Sequence, residues 1–327
     1  MRLLKLIPDD TNIDFVRLRG WAFGLTAFLT VLAVSMVFAR GLNLGVDFVG
    51  GLMIEAKFDQ APALDRLRGS IDRLGVGDVS LQQFGDKKIV SIRLPVPQNA
   101  DQGATNAEVK KVQDAVRGVF PGVTFTRTDT VSGKVSGELI WKGVLAVVLA
   151  VFAIAIFGWL RFEWQFGLST FVAIGHDVLM TLGFFALTRL EFDLTIVAAV
   201  LTIVGYSIND KIVIDDRIRE NMRKYRQMDM RGIVNLSVNE TLPRTVMTSL
   251  TILLALASLL LFGGHVLRGL TAAMILGVIV GTYSSIYVSS SLLITLGLKP
   301  QPFAAPKARG GGPASGAEYI PPERKGP

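Results

Sequence analysis

Cysteine is absent from the 327 residues, so no disulfide, thiolate metal site or cysteine nucleophile is available, and the redox compartment is left open. Histidine occurs only as His176 and His265, too few for a histidine-rich metal centre, and no cofactor is expected. Charge is scarce: 19% of residues are charged against 50% hydrophobic, a balance that excludes an ordinary soluble domain. The net charge of +7 taken alone would suit a nucleic-acid binder. The basic residues, however, fall mainly where membrane topology places them, so no nucleic acid is expected as a partner. A nucleotide-binding Gly-Lys-Ser/Thr loop, a zinc signature and a nucleophile elbow are all missing as well, which makes an enzyme the least expected reading.

What is present is a series of long apolar runs. Residues 1–20 are polar and carry Arg2, Lys5, Arg17 and Arg19. Residues 21–39 then form an uninterrupted apolar segment. A signal peptide would show a shorter core and a small-residue cleavage site, so a retained anchor is expected here. Five more spans are expected at 144–160, 166–187, 194–214, 246–262 and 270–296. Together, residues 139–298 would form a five-helix bundle. The segment 215–243 between the fourth and fifth spans holds Arg217, Arg219, Arg223, Lys224, Arg226 and Arg231, while the stretches around Arg189 and 265–268 are sparse. That bias puts 215–243, as a basic loop, and both termini in the cytoplasm. Residues 299–327, rich in Pro, Gly and Ala, read as a disordered cytoplasmic tail.

Between the first two spans, residues 45–131 have soluble composition and would face outward. The expected elements are a strand at 52–58, a helix at 62–74, two strands at 79–84 and 89–96 around Gly85-Asp86, a helix at 105–120 and a strand at 123–131. Leu64, Leu67, Ile71 and Leu74 share one helix face; Val109, Val112, Val116 and Val119 share the other. The order βαββαβ is that of a ferredoxin-like sandwich. About 80 residues suffice for a modest core, and with no clustered histidines or paired carboxylates the unit reads as a binding or mechanical domain. It opens on Gly45-Val46-Asp47-Phe48-Val49-Gly50-Gly51, whose glycines suit a tight turn or a close backbone approach.

The fourth span carries the unusual chemistry. If it runs over 194–214, Asp210 lies about 9 Å from the midplane at ~1.5 Å per residue. A carboxylate there costs roughly 2.5–3.5 kcal/mol on insertion scales, and such groups usually line proton or ion paths. A position near enough to the boundary to be wetted is the alternative. Tyr206 and Ser207 lie four and three residues before Asp210, so their hydroxyls are expected on its face; Asn209 adjoins it. Lys211 lies about 100° round the helix and is expected to snorkel to the interface. Arg244, after Pro243, is either a positive-inside anchor or a partner for Asp210. A carboxyl alternately protonated and paired with an arginine is a minimal proton relay. In the third span, His176-Asp177 offers a rival for that role or a structural acceptor tying helices together, the latter being preferred. The sixth span repeats small residues at Gly277, Gly281, Ser285 and Ser289, which permits close packing within the bundle or against a partner chain.

These residues carry a resemblance. GVDFVGG after the first span, SGELIWKG opening the second, HDVLMTLGFF in the third, GYSINDKIVIDDRIREN in the fourth and NETLPRTVMTSLT entering the fifth resemble the SecD/SecF family of bacterial protein export, SecF being its smaller half. The motifs come in order and cover the chain to about Leu298. The resemblance implies a six-span half of a transporter similar to the resistance-nodulation-division superfamily, in the bacterial inner membrane. It would pair with SecD into a twelve-helix unit beside the SecYEG channel, often with YajC. The proton-motive force would assist translocation of a preprotein. The family's fourth-span aspartate falls on Asp210 and its fifth-span arginine on Arg244; Gly45, Asp47, Gly50 and Gly51 match the motif that opens its outer domain. Lys211 departs from the small hydroxyl residue often found after that aspartate.

Two other classes stay in view: half of a proton-driven small-molecule exporter, and a scaffold in which Asp210 and Arg244 only hold helices together. Exporters of that kind usually carry twelve spans and two large outer domains in one chain, against one small domain and six spans expected here. The charge distribution makes a direct prediction about orientation. A reporter fused near Gln98 should read as outside the membrane and one near Met228 as inside; the reverse pattern at either site would overturn it.

Overall fold

A computed structural model describes residues 8, 11–77, 79–84, 86–95, 102–264 and 267–299. The expectations for residues 1–7, for Gly85 and for a tail over 300–327 lie outside the described residues. Among the described residues, six helices are long and apolar enough to cross a membrane: α1 (Arg19–Arg40), α5 (Gly133–Arg161, apolar from Val135), α6 (Trp164–Thr188), α7 (Leu194–Lys224), α8 (Met230–Phe262) and a last one that starts as α9 (Arg268–Tyr283) and ends as α10 (Ser290–Thr295). The shorter elements are β1 (Asn43–Leu44), α2 (Val46–Val49), β2 (Gly51–Lys57), α3 (Leu64–Asp72), β3 (Ser80–Phe84), β4 (Asp86–Leu94), α4 (Gln102–Val119), β5 (Thr124–Val131) and β6 (Glu191–Phe192).

The small sheet unit is organised by alternation. Leu52, Ile54 and Ala56 of β2 point to one face, where they meet Val90, Ile92 and Leu94 of β4, Leu67 and Ile71 of α3, and Val112 and Val116 of α4. The strands lie in the order β3-β4-β2-β5, each neighbouring pair antiparallel. Leu74 and Val119, expected on the buried helix faces, are exposed. Both fall at or past the C-terminal ends of their helices.

The stretch 215–243, expected as a loop, is helical except for residues 225–229. The reason is an apolar stripe that continues past the charges. Ile214, Ile218 and Met222, each four residues apart on α7, pack against Ile233, Val234, Val238 and Leu242 of α8. The basic residues ride on the other faces of a helical hairpin, and Pro243 sits inside α8 without ending it. In the final span the backbone widens to a π-helical segment at Ser284–Ser289. There Ser290 donates its hydroxyl to the Ser285 carbonyl five residues earlier.

The opening glycine motif joins the two parts. Its central residues form the single turn α2, followed by Gly50 at φ 75° and Gly51 at φ 121°. A Cβ on Gly51 would stand 2.7 Å from the Leu94 carbonyl oxygen, so both conformation and space require glycine there. Asp47 Oδ2 accepts the backbone N–H of Leu194 (2.9 Å) and thereby caps the start of α7. The short strands β1 and β6 pair in parallel just before that helix. Arg93 of β4 donates to the Leu44 carbonyl (2.9 Å) and ion-pairs with Glu191 (2.8 Å). Burial pushes the Glu191 carboxyl above its ordinary range; Arg93 opposes that shift and Asp193 adds to it.

A candidate proton site in the membrane bundle

α7 runs through the bundle with one polar face, and the chain's packing follows from what that face needs. Small residues let the last span approach it. A Cβ on Gly277 would collide with Ile203, and one on Gly281 would stand 3.0 Å from the Ser207 Cβ. One turn further, Ser285 donates to the Ser207 carbonyl (3.4 Å).

Asp177 of α6, 1% exposed, is held from three sides. Its Oδ2 accepts from the hydroxyls of Ser207 (2.6 Å) and Ser284 (2.9 Å), and its Oδ1 lies 3.0 Å from His176 Nδ1. The carboxyl thus ties α6, α7 and the π-helical segment together. Ser207 consequently does not serve Asp210, contrary to expectation. Tyr206 likewise turns to Ser249 of α8 (3.0 Å), which in turn shares a hydrogen bond with Thr282 (2.8 Å).

Lys211 corrects the expectation more sharply. Instead of snorkelling it is 2% exposed. Its ammonium donates to Asp215 Oδ2 (2.7 Å), to Ser169 (3.0 Å) and to Ser289. A lysine has three donors, and all three are used. Asp215, read from sequence as part of a polar block leaving the membrane, is buried too, whereas Asp216 is exposed beside Arg161 (3.9 Å) and Arg217 pairs with Glu240 (2.7 Å) and Glu220 (2.6 Å). The i,i+4 spacing of Lys211 and Asp215 was the available signal. What hid it was the absence of any sequence sign that Ser169 and Ser289 would close over the pair.

Asp210 is the exception on this face. It is 3% exposed, and its Oδ2 is buried with no hydrogen-bond partner. Arg244 is near enough to act on it electrostatically, yet among the described residues the two form no ion pair, and Arg244 is exposed. Asn209 is exposed beside it. Asp177 on α6 and Lys211 on α7 are supplied with partners, while Asp210 Oδ2, next to Lys211 in the chain, is not. Among the described residues there is no cluster of His, Asp and Glu fit to hold a metal ion.

Apolar spans enclosing a seam of buried polar groups, among them Asp210 Oδ2 with no donor and Asp215 with one oxygen held by Lys211 and the other unpartnered, define a polytopic membrane protein. Comparison with known proteins narrows this. Residues 111–299 match the family model for the protein export membrane protein SecD/SecF, C-terminal, and residues 36–62 match the SecD/SecF GG motif. The chain is 44% identical to protein translocase subunit SecF of Cereibacter sphaeroides over 301 residues, covering 90% of this chain and 93% of that one. It is 40% identical to the subunit of the same name from Rickettsia akari, covering 89% and 94%. Among solved structures it is similar to SecDF, a translocon-associated membrane protein from Thermus thermophilus, at TM-score 0.80 and 35% identity. That match covers 89% of this chain and 40% of the solved one. The super-membrane-facing form of SecDF matches at TM-score 0.63 over 88% and 39%. The chain thus spans about two fifths of the SecDF chains it resembles. It belongs to the SecD/SecF family, with the SecF subunits of protein translocase, and is inserted in a membrane.

The Lys211–Asp215 pair yields a stability prediction. Lys211→Met or Asp215→Leu alone strands a buried charge and should cost about 3–5 kcal/mol, whereas the double replacement should recover most of it. Thermal unfolding of the chain in mild detergent measures this. A double variant no more stable than either single one would show that the pair is not the source of the loss.

Proposed function

We propose that the chain is the SecF half of a SecD–SecF unit that uses the proton-motive force to assist preprotein translocation beside SecYEG, with YajC as a further associate. Asp210 is the proton-carrying group and Arg244 its ionised-state partner. The observation that carries the reading is the buried, unpartnered Oδ2 of Asp210, where the buried carboxyls of Asp177 on α6 and Asp215 on α7 each accept from a donor. A buried carboxyl is tolerated either neutral or with a cation beside it. Alternating between these moves one proton, and the arginine supplies a second position for the charge. Asp177, already holding its hydroxyl donors, fits a structural role better. Exposure of Arg244 and of long apolar faces on α1 and α5 supports a second membrane protein, SecD, closing over this side.

The sheet unit, with strand order β3-β4-β2-β5 and two helices on one face, supports a ferredoxin-like outer domain over 45–131 on the periplasmic side. The opposite end of the bundle gathers Arg17, Arg19, Arg161, Arg219 and Arg231, which supports cytoplasmic termini in the inner membrane. Motion of α7 reaches the outer domain through Asp47, which caps it, and through the β1–β6 pair that Arg93 grips.

The test is preprotein translocation into inverted vesicles with and without an uncoupler, with complex abundance followed in each variant. Asp210→Asn should leave assembly intact and reduce gradient-dependent export to the level of vesicles lacking the chain. Arg244→Lys keeps charge but not the planar fork and should lose part of the activity, Arg244→Met more. Asp177→Asn should lower abundance chiefly. Full export by Asp210→Asn together with abolition by Asp177→Asn in a normally assembled complex would move the relay to α6.

A further inference from the structure

Two neighbouring cavities at the basic end of α1 have no part in the relay. One, of about 540 Å³, is lined by Arg17, Arg19 and Arg231 with Asp14, Asp229 and Asn235. The two aspartates are already engaged with backbone: Asp14 Oδ1 accepts the N–H of Arg17 (3.0 Å) and Asp229 Oδ1 that of Gly232 (3.1 Å). Asn235 Oδ1 accepts the N–H of Phe15 (2.9 Å). Among the described residues the three guanidinium groups form no ion pair or hydrogen bond. The cavity is therefore a net positive pocket whose donors are unused.

The second cavity, of about 520 Å³, begins one residue further along. It is formed by Gly20, Trp21, Gly24, Leu25 and Phe28 of α1. Trp21 is 84% exposed and Phe28 64%. Arg19 lines the polar pocket and the next residue, Gly20, lines the apolar groove; counted at 3.6 residues per turn, Trp21, Gly24 and Phe28 lie on one face of α1. Arg19 begins the apolar span of α1 and Gly20 to Phe28 lie within it, so the guanidinium groups gather at the end of that span and the groove runs along it.

We infer that this composite site binds an anionic phospholipid, its phosphodiester against Arg17, Arg19 and Arg231 and one acyl chain along Trp21, Gly24 and Phe28. Arginine forks match phosphate oxygens in pairs, and clustered basic residues at the end of a span draw acidic headgroups. An acidic protein segment would satisfy the arginines and leave the groove beside them unfilled, which is why a lipid is the better occupant. Such a lipid would bridge the first span to the α7–α8 hairpin and brace the end of the bundle opposite the outer domain.

Tryptophan quenching tests this with the full chain in vesicles. Trp141, Trp159 and Trp164 are exposed, so their replacement by phenylalanine leaves Trp21 as the single reporter. Phosphatidylcholine vesicles containing brominated phosphatidylglycerol should quench Trp21 more than vesicles with the same mole fraction of brominated phosphatidylcholine. Each of Arg17→Gln, Arg19→Gln and Arg231→Gln should lower that preference by up to roughly fivefold. The corresponding lysine variants keep the charge but lose the fork and should lose a smaller part of it, and Arg40→Gln, at the other end of α1, should leave it unchanged. Added inorganic phosphate should not displace the lipid. Equal quenching by the two lipids, a preference that survives the triple arginine variant, loss with Arg40→Gln, or displacement by phosphate alone would overturn the inference. So would a Trp21 that no lipid quenches once partner proteins copurified from membranes are bound, since a protein would then cover the groove.

Discussion

The cost of polar groups on a helix that crosses a membrane governs this structure. Without water, every donor and acceptor on α7 must find its partner inside the bundle. Ser207 and Lys211 find theirs on α6 and the last span, and Asp215 accepts from Lys211 one turn earlier on α7 itself. The small residues of that last span are what allow it to come near enough. Its π-helical segment places Ser284 and Ser289 toward Asp177 and Lys211 respectively. Packing and charge neutralisation are thus one requirement here, met by the same residues.

Within that arrangement the three carboxyls near the bundle centre differ by their supply of donors. Asp177 receives two hydroxyls and faces a histidine, Asp215 receives an ammonium, and Asp210 Oδ2 receives nothing. The proposed relay rests on that difference. The start of α7 is capped from the glycine motif, and the β1–β6 pair just before it is held by Arg93 of β4; in the proposed mechanism this is the connection through which movement of α7 would reach the sheet unit. The proposed lipid would steady the opposite end.

Six apolar runs were legible in the sequence because membrane thickness imposes their length, and the strands were legible through alternation. Their limits shifted where tertiary contacts extended an element: α7 and α8 each run well past the apolar segment because Ile218 and Met222 have Val234 and Val238 to meet. Asp210 stood out from its sequence context alone. The Lys211–Asp215 pair did not, since a lysine near a span boundary normally reaches for water, and only the approach of Ser169 and Ser289 makes burial tolerable. Nor did the partners of Tyr206 and Ser207 follow from spacing on one helix. Sharing a face with Asp210 did not outweigh better acceptors on α6 and α8. The two-residue strands β1 and β6 were invisible because so short a pairing leaves no periodicity.

The account turns on Asp210 being the carboxyl that changes protonation state while its neighbours do not. Infrared difference spectroscopy of the membrane-reconstituted complex, cycled between acid and alkaline buffer, reads this directly through the carbonyl stretch of a protonated carboxyl. The account predicts a titrating band that disappears in Asp210→Asn and persists in Asp177→Asn. A band that survives Asp210→Asn and vanishes in Asp177→Asn would contradict it.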